Sequence, residues 1–298
     1  MKLLFLPVFL LYVAPFPLFA QGPLDGYLKG KGVLDLAPSF SVNSAKRFEG
    51  ADGQLYDVGY KGSMLSLFAE YGLGERIDLV ATAAYVFTSR QSGLQDGAVL
   101  LKYRPVYRRM GQAGKLGLLL GSGLGFPLTN YKPAATAALG QKALIVPARL
   151  IVQWETPLGL FFNLGGGYNW RFDRLRDEDI AVVRKLRPDY QPVQPANFAT
   201  MLFKIGFPAK RYYLDAWVEW QHTRGGADYV PEAPDLPQSF GVSYTQAGGT
   251  LYYSENGKNG FYLSTGYIFG GRNTSRILRV TAGMVLKLNP GRAAQVSF

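Results

Sequence analysis

The feature that most constrains this chain is an alternation of apolar and other residues at period two. It recurs in segments of about ten residues, the length a tilted strand needs to cross the hydrocarbon layer of a membrane. In residues 77–88 the set Ile77, Leu79, Ala81, Ala83, Tyr85 and Phe87 alternates with Asp78, Val80, Thr82, Ala84, Val86 and Thr88. In residues 212–221 Leu214, Ala216, Val218 and Trp220 point one way, and Asp215, Trp217, Glu219 and Gln221 the other. In residues 276–288 Leu278, Val280, Ala282, Met284, Leu286 and Leu288 oppose Arg279, Thr281, Gly283 and Lys287. One face of each segment is wholly apolar and has to be covered by protein or by lipid.

The same periodicity predicts strands at 32–42, 62–71, 77–88, 97–106, 116–126, 144–154, 160–171, 198–207, 212–221, 242–254, 261–270 and 276–288, about twelve in all. Pro38 has no N–H for the ladder, so a bulge or irregular edge is expected there. The connectors 72–76, 108–115, 155–159, 208–211 and 255–260 are short, and those between them are mostly longer and more polar. Short periplasmic turns and longer external loops are the asymmetry of outer-membrane barrels. The 36 glycines, 14% aromatics and only 18% charged residues fit strands joined by tight turns. The expected fold is therefore all-β, a transmembrane antiparallel up-and-down barrel in the bacterial outer membrane.

A soluble sandwich alternates too. Three features weigh against it: an export signal, strands long enough to span, and aromatics repeated at the strand ends, where an interfacial girdle belongs. Tyr71, Tyr103, Trp154 and Tyr253 form the expected periplasmic ring, and Phe87, Phe126, Trp170, Trp220 and Phe269 the external one. The export signal is Met1-Lys2, an apolar run from Leu3 to Val13, and Ala20 before Gln21. Residues 1–20 are thus read as a signal peptide and 21–298 as the barrel with a short C-terminal tail. The formal charge of +11 suits anionic headgroups or an anion-biased pore better than nucleic acid, which an exported protein rarely meets.

With one histidine, His222, and no cysteine, the usual zinc and iron clusters cannot be assembled, and no metal or other cofactor is expected. No phosphate-binding loop, dinucleotide fingerprint or nucleophile elbow occurs. His222 and Ser243 fall by parity on the outer face of neighbouring strands, which keeps a lipid-active hydrolase open as a minor alternative. The reading preferred here is not an enzyme.

The inward face carries Asp35, Glu70, Asp78, Lys102, Arg104, Arg149, Asn163, Lys204, Asp215, Glu219, Arg279 and Lys287. Phe68, Phe161, Trp217, Tyr252 and Tyr262 add bulk on the same side, so a narrow or gated lumen is expected rather than a wide pore. Closing the hairpin at 208–211 places Lys204 opposite Asp215, and closing that at 72–76 places Glu70 opposite Asp78. That second pair of like charges calls for a cation from Lys102 or Arg104. Residues 178–186 read as a short helix, with Asp177 as its cap, inside the long external segment 172–197. No plug-sized domain precedes the first strand, which argues against coupling to an inner-membrane motor.

The stretches Ser63 to Leu79, SMLSLFAEYGLGERIDL, and Ser92 to Pro105, SGLQDGAVLLKYRP, pair an apolar hairpin around Gly-x-Gly with a loop leading into a Lys-Tyr strand. In this the chain resembles the outer-membrane family named after the meta-cleavage pathway of phenol degradation. The resemblance implies a transporter-like barrel and uptake of small organic compounds, with no catalytic residues. Residues 281–288, TAGMVLKL, look like the signal read by the barrel-assembly machinery. The partners expected are that machinery, outer-membrane lipids and a small-molecule solute; the oligomeric state is left open. The expected function is a narrow passive conduit for small amphipathic or aromatic solutes. The alternatives are a structural barrel without transport and the hydrolase.

Overall fold

Twelve long strands close into one antiparallel ring in the computed structural model, which describes residues 24–88, 92–131, 142–172, 196–229, 241–255 and 259–289. In chain order these are β1 (Leu34–Glu49), β2 (Leu55–Gly72), β3 (Ile77–Thr88), β5 (Asp96–Arg109), β6 (Lys115–Pro127), β7 (Ile145–Glu155) and β8 (Phe161–Arg171). They continue as β9 (Phe198–Pro208), β10 (Tyr212–Thr223), β11 (Ser243–Tyr253), β12 (Asn259–Arg272) and β13 (Thr274–Leu288). A short extra strand, β4 (Ser92–Leu94), lies beside the end of β3. Every long strand pairs with its sequence neighbours, and β1 pairs with β13 to close the ring, so no sheet edge is left open to lipid. The expected signal peptide, the helix at 178–186 and the tail beyond residue 289 lie outside the described residues.

Outside the membrane, β1 and β2 run on as a long hairpin that the sequence reading stopped short of. Its outer half carries Lys46, Arg47, Asp57 and Lys61 on the exposed side, so no apolar face is turned to lipid, while Ala45 and Phe48 are buried on the other side, Phe48 and Tyr56 against Tyr229. Pro38 produces no bulge. The β13 ladder skips Ala37 and Pro38 without losing register, and the shift in β1 comes after Ala45 instead.

Two hairpins close in a register two residues from the one expected. Gly72 faces Asp78 and Glu70 faces Val80; likewise Pro208 faces Tyr213 and Lys204 faces Trp217. The reason is local: the Gly74 N–H donates to the Ile77 carbonyl at 3.0 Å and the Ala209 N–H to the Tyr212 carbonyl at 2.6 Å, so each turn centres later than its polar residues suggest. A slip of two keeps every side chain on its face. Lys204 and Asp215 therefore still pair, as diagonal neighbours, with Nζ 3.7 Å from the carboxylate.

The outward face is apolar and exposed: Leu65, Leu67, Val99, Leu101, Leu120, Leu124, Leu150, Leu164, Met201, Phe203, Leu251, Leu263 and Val280 make a lipid-facing belt. All nine aromatics named for the two girdles are exposed at its margins. Trp154 shows the amphipathic habit of such residues, its ring stacked on Phe162 and its indole N–H donating to the Ala113 carbonyl at 2.7 Å. At the external end, the start of the β10–β11 connection is pinned over the β12–β13 turn. Asn273, at a positive φ of 52°, donates to the carbonyls of Ala227 and Gly241 and accepts the Tyr229 N–H.

Candidate functional site

A barrel of twelve strands encloses a lumen that side chains can either fill or merely line. Here the bulky inward groups are laid against the wall, each over a glycine of the following strand. Arg149 lies over Gly167, Phe161 over Gly206, Trp217 over Gly248, Tyr252 over Gly260 and Tyr262 over Gly283; a Cβ at any of these glycines would fall on the overlying side chain. All five lean the same way around the barrel. The space they leave is taken, in the periplasmic half, by the chain's own N-terminal segment.

Residues 24–33 run inside the barrel before β1 begins. At the barrel's periplasmic end the Gly32 N–H donates to the Gly72 carbonyl at 2.7 Å, and the Gly72 N–H to that of Val33 at 2.9 Å. Gly72 has no side chain because the Gly30 carbonyl occupies the place of its Cβ. Further in, Gly26 packs its backbone against the Gln153 side chain, which a Cβ would overlap. Tyr27 meets Phe161 edge-on, with ring centroids 5.6 Å apart. Leu24 and Leu28 cover an apolar patch of the inner wall made by Val80, Leu100, Leu119 and Ile151, joined by Phe68 and Ala98. Burying two leucines in this way is worth about 1.5–3 kcal/mol each.

Ion pairs fasten the same segment. Lys29 Nζ lies 3.2 Å from Asp35 and 3.3 Å from Glu70, while its backbone N–H donates to Asp78 at 2.7 Å. Lys102 Nζ reaches Asp25 at 2.8 Å and also contacts Glu70. Burial by itself would raise the Asp25 pKa and lower that of Lys29. The opposite charges prevail in both: Lys102 and Lys29 hold Asp25 below the usual carboxylate range, and Glu70, Asp25 and Asp35 hold Lys29 well above the usual lysine value. Tyr27, buried and facing Glu155 and Asp25, has its phenol pushed up.

Of the lumen residues named from sequence, Glu70, Asp78, Lys102, Lys204 and Asp215 meet at this level, none more than 4% exposed, while Trp217, equally buried, packs with Ile268 beyond it. Lys102 supplies the cation that Glu70 requires. Tyr252 and Tyr262 stand flat on the wall. Arg149, Glu219 and Arg279 lie apart from the layer, half-buried. Arg104 does not join the carboxylates. A register shift after Tyr103 carries it away, its N–H donates to the Arg76 carbonyl at 2.9 Å, and its guanidinium sits 4.3 Å from the centre of the Tyr107 ring. Ser243 Oγ accepts the Thr223 N–H at 2.9 Å, and among the described residues it makes no hydrogen bond with His222.

Leu24, Asp25, Gly26, Tyr27, Leu28 and Lys29 were missed as site residues. A signal for them was present. Leu118-Leu119-Leu120 and Leu150-Ile151-Val152 are apolar on both faces, as strands are when both faces are covered. A segment this short occupies the periplasmic half of the lumen.

Two solved structures place the fold among known proteins. An outer membrane channel of Pseudomonas putida F1, described as COG4313, superposes with a TM-score of 0.63 at 14% identity, over 90% of this chain and all of its own. The NanC porin gives a TM-score of 0.50 at 11% identity, over 86% of this chain and all of its own. These likenesses show the fold, an antiparallel β-barrel of the kind these outer-membrane proteins have. No family model matches the sequence, and no curated protein matches it either.

Proposed function

We propose that this barrel is a narrow passive conduit for small amphipathic or aromatic solutes, closed at its periplasmic end by residues 24–33. The observation that carries this is a two-sided lumen. One wall, from β3 to β7, carries the apolar patch of Val80, Leu100, Leu119 and Ile151 beside the polar Asp78, Lys102 and Gln153, and the wall from β9 round to β1 is mainly polar at Lys204, Asp215, Gln246, Ser264, Thr281 and Ser41, with Trp217 and Ile268 among them. A solute with one apolar and one polar side matches such a passage along its length, whereas a sugar or a bare ion would match half of it. The apolar patch is covered by Leu24 and Leu28, so a solute that uses it replaces contacts the segment makes itself. The family resemblance of residues 63–79 and 92–105 and the channel and porin named above support the same reading.

The filled periplasmic half favours a rival, a structural barrel without transport. Liposome permeation separates the two. Vesicles carrying the full chain or a variant lacking residues 24–31 would be tested with benzoate, an uncharged sugar and a large dye. The conduit predicts benzoate flux in the full chain that rises in the deletion, ahead of sugar, with dye excluded. Negligible flux of all three through both would reject it.

A further inference from the structure

Ionic groups in the plug layer meet opposite charges, but Arg149 and Glu219 beyond it are held by neutral partners. Arg149 on β7 lies flat across β8 because Gly167 leaves room for its side chain. Its Nη2 donates to Asn169 Oδ1 at 2.8 Å, and Asn169 is itself fixed, its Nδ2 donating to the Phe198 carbonyl at 3.2 Å. Nη1 donates to the Ala148 carbonyl at 3.1 Å. Among the described residues no carboxylate lies within ion-pairing distance of this guanidinium. Glu219 on β10 is likewise held by neutral donors, the Tyr244 hydroxyl at 3.3 Å and Gln246 Nε2 at 3.0 Å. Arg279, on the strand diametrically opposite Arg149, donates from Nε to Asn43 Oδ1 at 2.6 Å. All three charges are half-buried, in contrast to the sealed layer.

An arginine tied to a carboxylate has spent its charge. One positioned by an amide and a carbonyl keeps its charge and, with five N–H donors, has directions left for a ligand. The Trp217 and Tyr244 rings pack together in the same part of the lumen, Tyr244 bonded to Glu219, and offer an aromatic face there. We infer that this part of the lumen is a binding station for a small aromatic monocarboxylate, with Arg149 receiving the carboxylate and Glu219 disfavouring a second negative charge. The inference rests on the conduit reading and names the polar end of the solute that the two-sided lumen accepts.

The test is equilibrium titration of the purified full-length barrel in detergent, at fixed ionic strength, with benzoate, benzamide and phthalate. Benzoate is expected to bind about ten- to hundredfold more tightly than its neutral isostere benzamide, the range for a hydrogen bond to a charged group, and phthalate more weakly than benzoate. Arg149→Gln should weaken benzoate far more than benzamide and so remove the preference, and Arg149→Lys should restore part of it. Wild-type migration of the variant on unheated gels shows that its barrel is intact. Equal binding of benzoate and benzamide, or a benzoate affinity indifferent to Arg149→Gln, overturns the station. Benzoate flux in liposomes without Arg149-dependent binding overturns the station and supports the conduit; Arg149-dependent binding without flux supports the station and overturns the conduit.

Discussion

Replacing Lys102 with methionine isolates the electrostatic fastening of the N-terminal segment. Lys102 is 1% exposed and touches both Asp25 and Glu70. Methionine keeps much of its length and removes the charge. In the docked state Asp25, about one-third exposed, then loses its Lys102 contact, and Glu70 keeps only Lys29. Removing one partner of a fully buried pair costs about 3–5 kcal/mol, and the exposure of Asp25 lowers this to about 1.5–3 kcal/mol, as for a hydrogen bond to a charged group. Undocking returns Asp25 to water but also withdraws Lys29 from Glu70, which offsets part of the relief. At about 1.4 kcal/mol per decade, the undocked population should rise about tenfold. The chain has no cysteine, so the Leu28→Cys variant carries a single thiol, at a position 5% exposed. Its maleimide labelling is expected to be slow, and to quicken about tenfold when Lys102→Met is added, with bilayer conductance moving toward that of the variant lacking residues 24–31. Folded barrel migration on unheated gels controls for global damage. If labelling changes by less than about threefold while the deletion raises conductance, the ion pairs are incidental to closure, and this account of the plug is wrong.

Gly26→Leu should release the segment as well, since its side chain has no space beside Gln153, and faster labelling of a Leu28→Cys thiol in that background would show it. Asp25→Asn is expected to raise conductance by the same factor at pH 7 and pH 5. The Asp25 pKa is lowered in the folded state, so its contribution is complete above the unfolded value of about 3.9 and is lost only as pH falls through the lowered one. A ratio that shrinks toward unity at pH 5 would contradict that. In the variant lacking residues 24–31, Gly248→Leu should push the Trp217 ring off the wall and lower conductance, whereas Trp217→Ala should raise it. No effect from either would mean that Trp217 does not border the passage.

Much of the barrel was legible because a membrane writes its demands locally. Lipid outside and water or side chains inside impose a period of two on every strand, so β3, β9 and β13 could be bounded within a residue or two from alternation alone. The extensions of β1 and β2 were not legible, because their outward side, with Lys46, Asp57 and Lys61, is polar and lacks the lipid-facing stripe that marks the other strands. Facing was robust for the same reason that register was not. Parity assigns a side to Lys204, Asp215, Glu70 and Asp78, but a hairpin can shift by two residues without moving any of them to the other face, and the hydrogen bonds of the turn decide which pairing occurs.

By itself, then, the sequence determined the all-β chain, the lipid-facing belt with its aromatic margins, and an inner wall of mixed charge. Only the tertiary structure decided what occupies that wall. Residues 24–33 have no periodicity to betray them, and Leu24 and Leu28 find their apolar partners on β3, β5, β6 and β7 once the ring has closed. The glycines under Arg149, Phe161, Trp217, Tyr252 and Tyr262 read in sequence as breaks in strand packing, because the side chain each one accommodates belongs to the strand before it in the ring. Contacts that join distant parts of a chain leave no period in it, and here the closing of the lumen depends on such contacts.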